Sequence, residues 1–148
     1  MNTVKALAGG FAGACILTAV HETMRRIVPN APRMDILGMR AIEKLMHKAD
    51  VEPPADDNKL HTWALVGDVF SNTLYYSLIG TGKNAWLRGA LLGAGAGIGG
   101  VVLPGPLGLG ERPSGRTPQT KAMTLGLYLV GGLVAAAVGY MLSGKDEE

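Results

Sequence analysis

Apolar residues gather in four windows along the chain, each close to the roughly 20 residues a helix needs to cross a hydrocarbon core. They cover about 4–28, 60–79, 85–103 and 121–142. Each ends at a helix breaker: Pro29 and Pro32 after the first, Gly80 and Gly82 after the second, Pro104 and Pro106 after the third. Gly144 closes the fourth, ahead of the charged tail Lys145 to Glu148. The first window also fits the outline of a cleaved leader, with Lys5 as its basic region. The residues after its apolar run, Val20, His21 and Glu22, make a poor cleavage site, so a retained span is expected.

Polarity changes between the first two windows. Over 34–49, Met34, Leu37, Gly38, Ala41, Ile42, Leu45, Met46 and Ala49 recur at helical spacing, with Asp35, Arg40, Glu43, Lys44, His47 and Lys48 on the other side. This pattern predicts an amphipathic helix, lying either along the membrane surface or on the protein's own cytoplasmic face. The stretch from Val51 to Lys59, with Pro53, Pro54 and several acids, reads as an exposed linker.

Composition strengthens the membrane reading. Apolar residues make up 47% of the 148 and glycine alone accounts for 22, while aromatics are only 5%. A water-excluding core uses bulky side chains; long runs rich in glycine and alanine suit helices that pack backbone to backbone in lipid. A net charge of +2 gives no basic face for nucleic acid. Cys15 is the sole cysteine, which excludes an intrachain disulfide and any CxxC motif. With four spans, the first and third loops share one side. They carry Arg25, Arg26, Arg33, Arg40, Lys44, Lys48, Lys59, Arg112, Arg116 and Lys121, ten of the 14 basic residues; Lys5, Lys83, Arg88 and Lys145 fall opposite. The excess of basic residues predicts cytoplasmic loops and extracytoplasmic termini.

Small residues four apart let helices approach closely in lipid. The first helix has Gly9 with Gly13, and Gly10 with Ala14 and Thr18. The third has Gly89, Gly93 and Gly97, with Gly95 and Gly99 in a second register, and the fourth has Gly131, Ala135 and Gly139. Three helices with such seams predict a tight bundle, and the seams are also candidate surfaces for a homo-oligomer or a larger membrane complex.

The run Ala8-Gly9-Gly10-Phe11-Ala12-Gly13, then Pro29 and Pro32, then Gly67-Asp68-Val69-Phe70-Ser71-Asn72, then Trp86-Leu87-Arg88-Gly89-Ala90-Leu91-Leu92-Gly93 leading to Pro104 and Pro106, resembles the YagU-like class of bacterial inner-membrane proteins. The likeness spans about two thirds of the chain and departs from that class at the long amphipathic insert. It implies a bacterial inner membrane and a link to acid tolerance, with no assigned chemistry.

An ionisable side chain inside a span costs free energy, about 2.5–3.5 kcal/mol at the centre, and therefore needs a reason. Asp68 lies near the middle of the second window, on a stripe with His61, Ala64, Ser71, Asn72 and Tyr75. His21 and Glu22 sit below the apolar part of the first helix, under Thr18. Asp68 is expected either to bond a neighbour as interhelical glue or to pair with His21 or Arg88 in a proton- or ion-responsive site. The three histidines, His21, His47 and His61, lack helical metal-ligand spacing, and Gly93 to Gly100 lacks the Lys-Ser/Thr of a phosphate loop, so no metal, cofactor or catalytic residue is assigned. The expectation is an all-α integral membrane bundle, one domain over 1–148, with four transmembrane helices and one amphipathic interfacial helix. It is not expected to be an enzyme. A structural or accessory membrane subunit is the first functional expectation; a small transporter, channel or acid-stress-responsive permeation protein using Asp68 is the alternative.

Overall fold

The computed structural model describes residues 2–144, so the charged tail after Gly144 lies outside the described residues. Six helices form among them: α1 (Thr3–Ile27), α2 (Met34–Lys48), α3 (Asp57–Ser77), α4 (Ala85–Val102), the short α5 (Arg112–Gly115) and α6 (Pro118–Ser143). Their starts follow local chemistry. The Asn2 side chain accepts from the Val4 and Lys5 amides, Asp56 from Asn58, and Thr117 from Thr120, with Pro118 in the first turn of α6. Only α5 had no counterpart in the apolar pattern; its sequence, RPSG, holds both helix breakers.

Three helices, α1, α4 and α6, are long and apolar enough to cross a membrane. Of the four expected spans, α3 falls short by that measure, its apolar residues being diluted by His61, Asp68, Asn72 and several Ser, Thr and Tyr side chains. All four long helices nevertheless run side by side. α6 packs between α1 and α4, α3 packs on the other side of α1, and α3 meets α4 only lightly. Neighbours are antiparallel: Gly9 and Gly13 of α1 meet Ala135 and Gly131 of α6, and Gly89, Gly93 and Gly97 of α4 meet Gly132, Tyr128 and Leu125.

The glycine seams make these contacts. A Cβ on Gly93 would come within 2.9 Å of the Tyr128 carbonyl oxygen, and one on Gly97 within 2.7 Å of the Leu125 Cα. Gly10 rests on the Thr73 carbonyl of α3, Gly139 on the Gly80 carbonyl, and Gly131 makes room for the Tyr76 hydroxyl. The seams are therefore filled by the chain itself. Gly95 and Gly99 differ: neither touches a neighbouring helix backbone, and both border a cavity.

Packing is inverted relative to a water-soluble core. Buried positions hold Ala6, Ala14, Ala135, Ala136 and the seam glycines, whereas Phe11, Phe70, Leu87, Leu91, Ile98 and Met141 face outward. A continuous apolar exterior of this kind suits lipid. The chain is that of a multi-pass membrane protein.

Candidate functional site

Polar side chains converge where α1 ends, α2 begins and α3 begins. The helical spacing of α1 puts Arg25 and Arg26 one turn beyond Glu22, and Arg25 donates through two nitrogens to Glu22 Oε2 at 3.0 and 2.8 Å. Pro29 stops α1, and the chain turns back through Asn30, whose φ is 59°, into the Pro32–Arg33 approach to α2. There Arg33 forks onto Asp35, Nε to Oδ1 at 3.0 Å and Nη2 to Oδ2 at 2.8 Å. Asp35 is only 2% exposed. The amphipathic pattern had put it on the polar side of α2; it faces the bundle instead, because Arg33 supplies the charge and hydrogen bonds that make burial tolerable.

His21 reaches across the same turn. The Met34 amide lies 3.1 Å from His21 Nε2 and donates to it while that nitrogen is unprotonated. The Pro32 carbonyl lies 3.2 Å from the same Nε2, ready to accept if that nitrogen gains a proton. Glu22 Oε1 is buried with no hydrogen-bond partner among the described residues, flanked by His21 Nδ1 at 3.7 Å and His61 Nε2 at 3.8 Å. Asp35 completes the circuit, Oδ1 at 3.9 Å from His21 Nε2 and Oδ2 at 3.9 Å from His61 Nδ1. Two carboxylates and two imidazoles thus alternate around a ring. No three His, Cys, Asp or Glu side chains among the described residues converge on one metal position. Burial opposes ionisation of Asp35, but the hydrogen bond and charge of Arg33, aided by Arg25 and His21, outweigh it and hold the carboxyl below its ordinary range. The same pairing raises Arg33, again against burial. In the sequence His61 has only a place on a stripe, and no spacing rule links it to Glu22 or Asp35; the ring exists only once α1, α2 and α3 meet.

Asp68 sits above this ring, midway along α3. It lines a narrow gap with Thr18, His21, Asn72 and Tyr128 on one side. On the other it borders an open-sided cavity of about 440 Å³. The cavity lies in the loose seam between α3 and α4, roofed by Leu37, Gly38 and Ala41 of α2 and closed at one end by the 103–109 connection. Gly38 leaves room for the carboxylate, whose oxygens would stand 3.6 and 3.7 Å from a Cβ there. No hydrogen bond or ion pair reaches the Asp68 carboxylate among the described residues; only its backbone carbonyl accepts, from the Ser71 hydroxyl at 3.3 Å. Tyr75 donates to the Leu92 carbonyl at 2.7 Å and Tyr76 to the Tyr128 carbonyl at 2.8 Å, while the Tyr128 hydroxyl has no such bond among the described residues.

Two site expectations need correcting. Arg88 does not pair with Asp68: it lies one turn into α4, at the far end of the bundle, and donates to the Ile79 and Thr81 carbonyls where α3 ends, the latter at 2.8 Å. Ser71 leaves the polar stripe, since its hydroxyl is exposed and turns back to the Gly67 carbonyl at 2.8 Å. His21, Asn72 and Asp68 do share one gap. No family model, curated protein or solved structure matches the chain.

Proposed function

We propose that this chain is a small four-span protein of the bacterial inner membrane that moves or admits a small solute or ion at the Asp68 cavity, with α2 as its cover. The observation that carries the reading is a cavity of about 440 Å³ reaching a mid-helix carboxylate that nothing in the described chain bonds. A mid-helix carboxylate without a partner is expensive to keep if it only packs.

Several features support α3 as the fourth span. Its polar residues turn inward, and it exposes Trp63, Val66, Phe70 and Leu74 at helical spacing, an apolar stripe fit for lipid in spite of its low overall apolarity. Half-exposed Trp63 and Trp86 stand at opposite ends of the bundle, as interfacial tryptophans do. α1 and α4 also run in the same direction, so a chain that crosses in both must return through α3. A scaffold or accessory-subunit role draws on free glycine seams, and all but the register of Gly95 and Gly99 in α4 are occupied within the chain.

Thiol labelling tests the reading. In a Cys15→Ala background, Ala96→Cys, which borders the cavity, should react with a membrane-impermeant thiol reagent, while Val130→Cys, which faces outward, should be protected. Equal protection of both would mean the cavity is closed to water and the reading fails.

A further inference from the structure

The walls of the cavity restrict what it can hold. Basic side chains of the elements around the cavity are engaged elsewhere: Arg25 on Glu22, Arg33 on Asp35, and Arg40 and Lys44 on the Leu109 and Leu107 carbonyls. An occupant of positive charge is therefore what the site lacks. A hard inorganic cation demands about six or more oxygen ligands. This lining offers one carboxylate and two tyrosine hydroxyls, of which Tyr75 already donates to the Leu92 carbonyl; the rest is glycine, alanine and apolar side chain. Gly95, Ala96 and Gly99 form a smooth α4 wall that helix packing does not use. Two tyrosine rings, Tyr75 and Tyr128, border the same space, and aromatic faces attract desolvated cations. The volume falls within the roughly 300–1,000 Å³ usual for small-molecule sites.

We propose that this cavity binds an amphipathic organic monocation, its nitrogen against Asp68 and its apolar body along the glycine wall of α4. This rests on the reading that the cavity is the working site, and the experiment separates the two. The full chain in lipid nanodiscs is titrated calorimetrically with benzyltrimethylammonium and, for comparison, with neutral 3-phenyl-1-propanol. The cation should bind, and the alcohol should bind weaker by roughly tenfold or more, since it forfeits the charge contact. Asp68→Asn should weaken the cation by roughly tenfold or more, and Asp68→Glu should restore it. Ala96→Phe keeps the carboxylate and fills the cavity, so it should abolish binding too, which keeps the test decisive if the Asn variant folds poorly. Binding that ignores charge, or that survives in Asp68→Asn, would assign the cavity to an acyl chain and overturn the proposal. If Ala96→Cys is labelled but benzyltrimethylammonium does not bind, the organic-cation inference falls and the open cavity stands; if neither occurs, both fall.

Discussion

Among single residues, Asp35 carries the clearest pH dependence outside the spans. Its carboxyl titrates below the ordinary value of 3.8 because Arg33 prefers it ionised. The unfolded chain therefore binds the proton first as the solution is acidified, and stability declines as pH falls from the unfolded value through the folded one. Above that window the contribution is complete. Asp35→Asn should lower stability at neutral pH by about 1–3 kcal/mol, toward the smaller figure because the Arg33 side chain is 38% exposed and partly screened. Thermal unfolding in mild detergent should show wild type and variant converging below the ordinary carboxyl range; a constant gap down to strong acid would remove the pair from the account. Asp35 was also the residue least legible in the sequence. Its helical position gave it to the solvent side, and nothing but the folded turn brings Arg33, two residues earlier, across the start of α2. Asp68 was legible as an oddity within an apolar window, yet the lack of a partner was not, since Arg88 offered an opposite charge at a plausible distance along the chain.

Helices repeat this division at larger scale. Their existence follows from the apolar windows, and the observed boundaries fall within a few residues of them; α2 spans nearly all of 34–49. Which seam meets which was hidden, because spacing four apart marks a contact face without naming the partner. The seams turned out to pair α1 with α6 and α4 with α6, with Gly10 set aside for α3. Substitution separates a contact seam from ordinary glycine content. Gly97→Leu drives a side chain into the Leu125 backbone and should destabilise the fold by about 1–3 kcal/mol or more. At Gly126 a Cβ would meet nothing within 4 Å, so Gly126→Leu should leave the unfolding temperature nearly unchanged. Equal losses at the two positions in detergent would mean that α4 and α6 do not pack through this seam.

For the whole molecule, the sidedness of charge and the fold agree on one axis. The first and third connections, which hold most of the basic residues, meet at one end: the Arg33 amide donates to Pro113 O at 2.7 Å, Arg116 to Ala31 O at 2.6 Å, and Thr120 to Asn30 O at 2.7 Å. At the other end Lys5 donates to the Leu142 carbonyl at 2.9 Å, and Arg88 closes α3. Basic loops are retained in the cytoplasm, so the end holding α2 and α5 should be cytoplasmic and both termini extracytoplasmic. The number of crossings decides the matter. Four spans return the C-terminus to the side of the N-terminus, whereas three, with α3 lying outside the bilayer, would leave the termini on opposite sides. A C-terminal phosphatase fusion should accordingly be active and a C-terminal fluorescent protein dark, with the same result at the N-terminus. The same reporters inserted at Pro53 should give the reverse. A fluorescent C-terminus together with an extracytoplasmic N-terminus would leave α3 outside the membrane; Asp68 would then face water, and neither a cation site nor a path through the bilayer could be built on it.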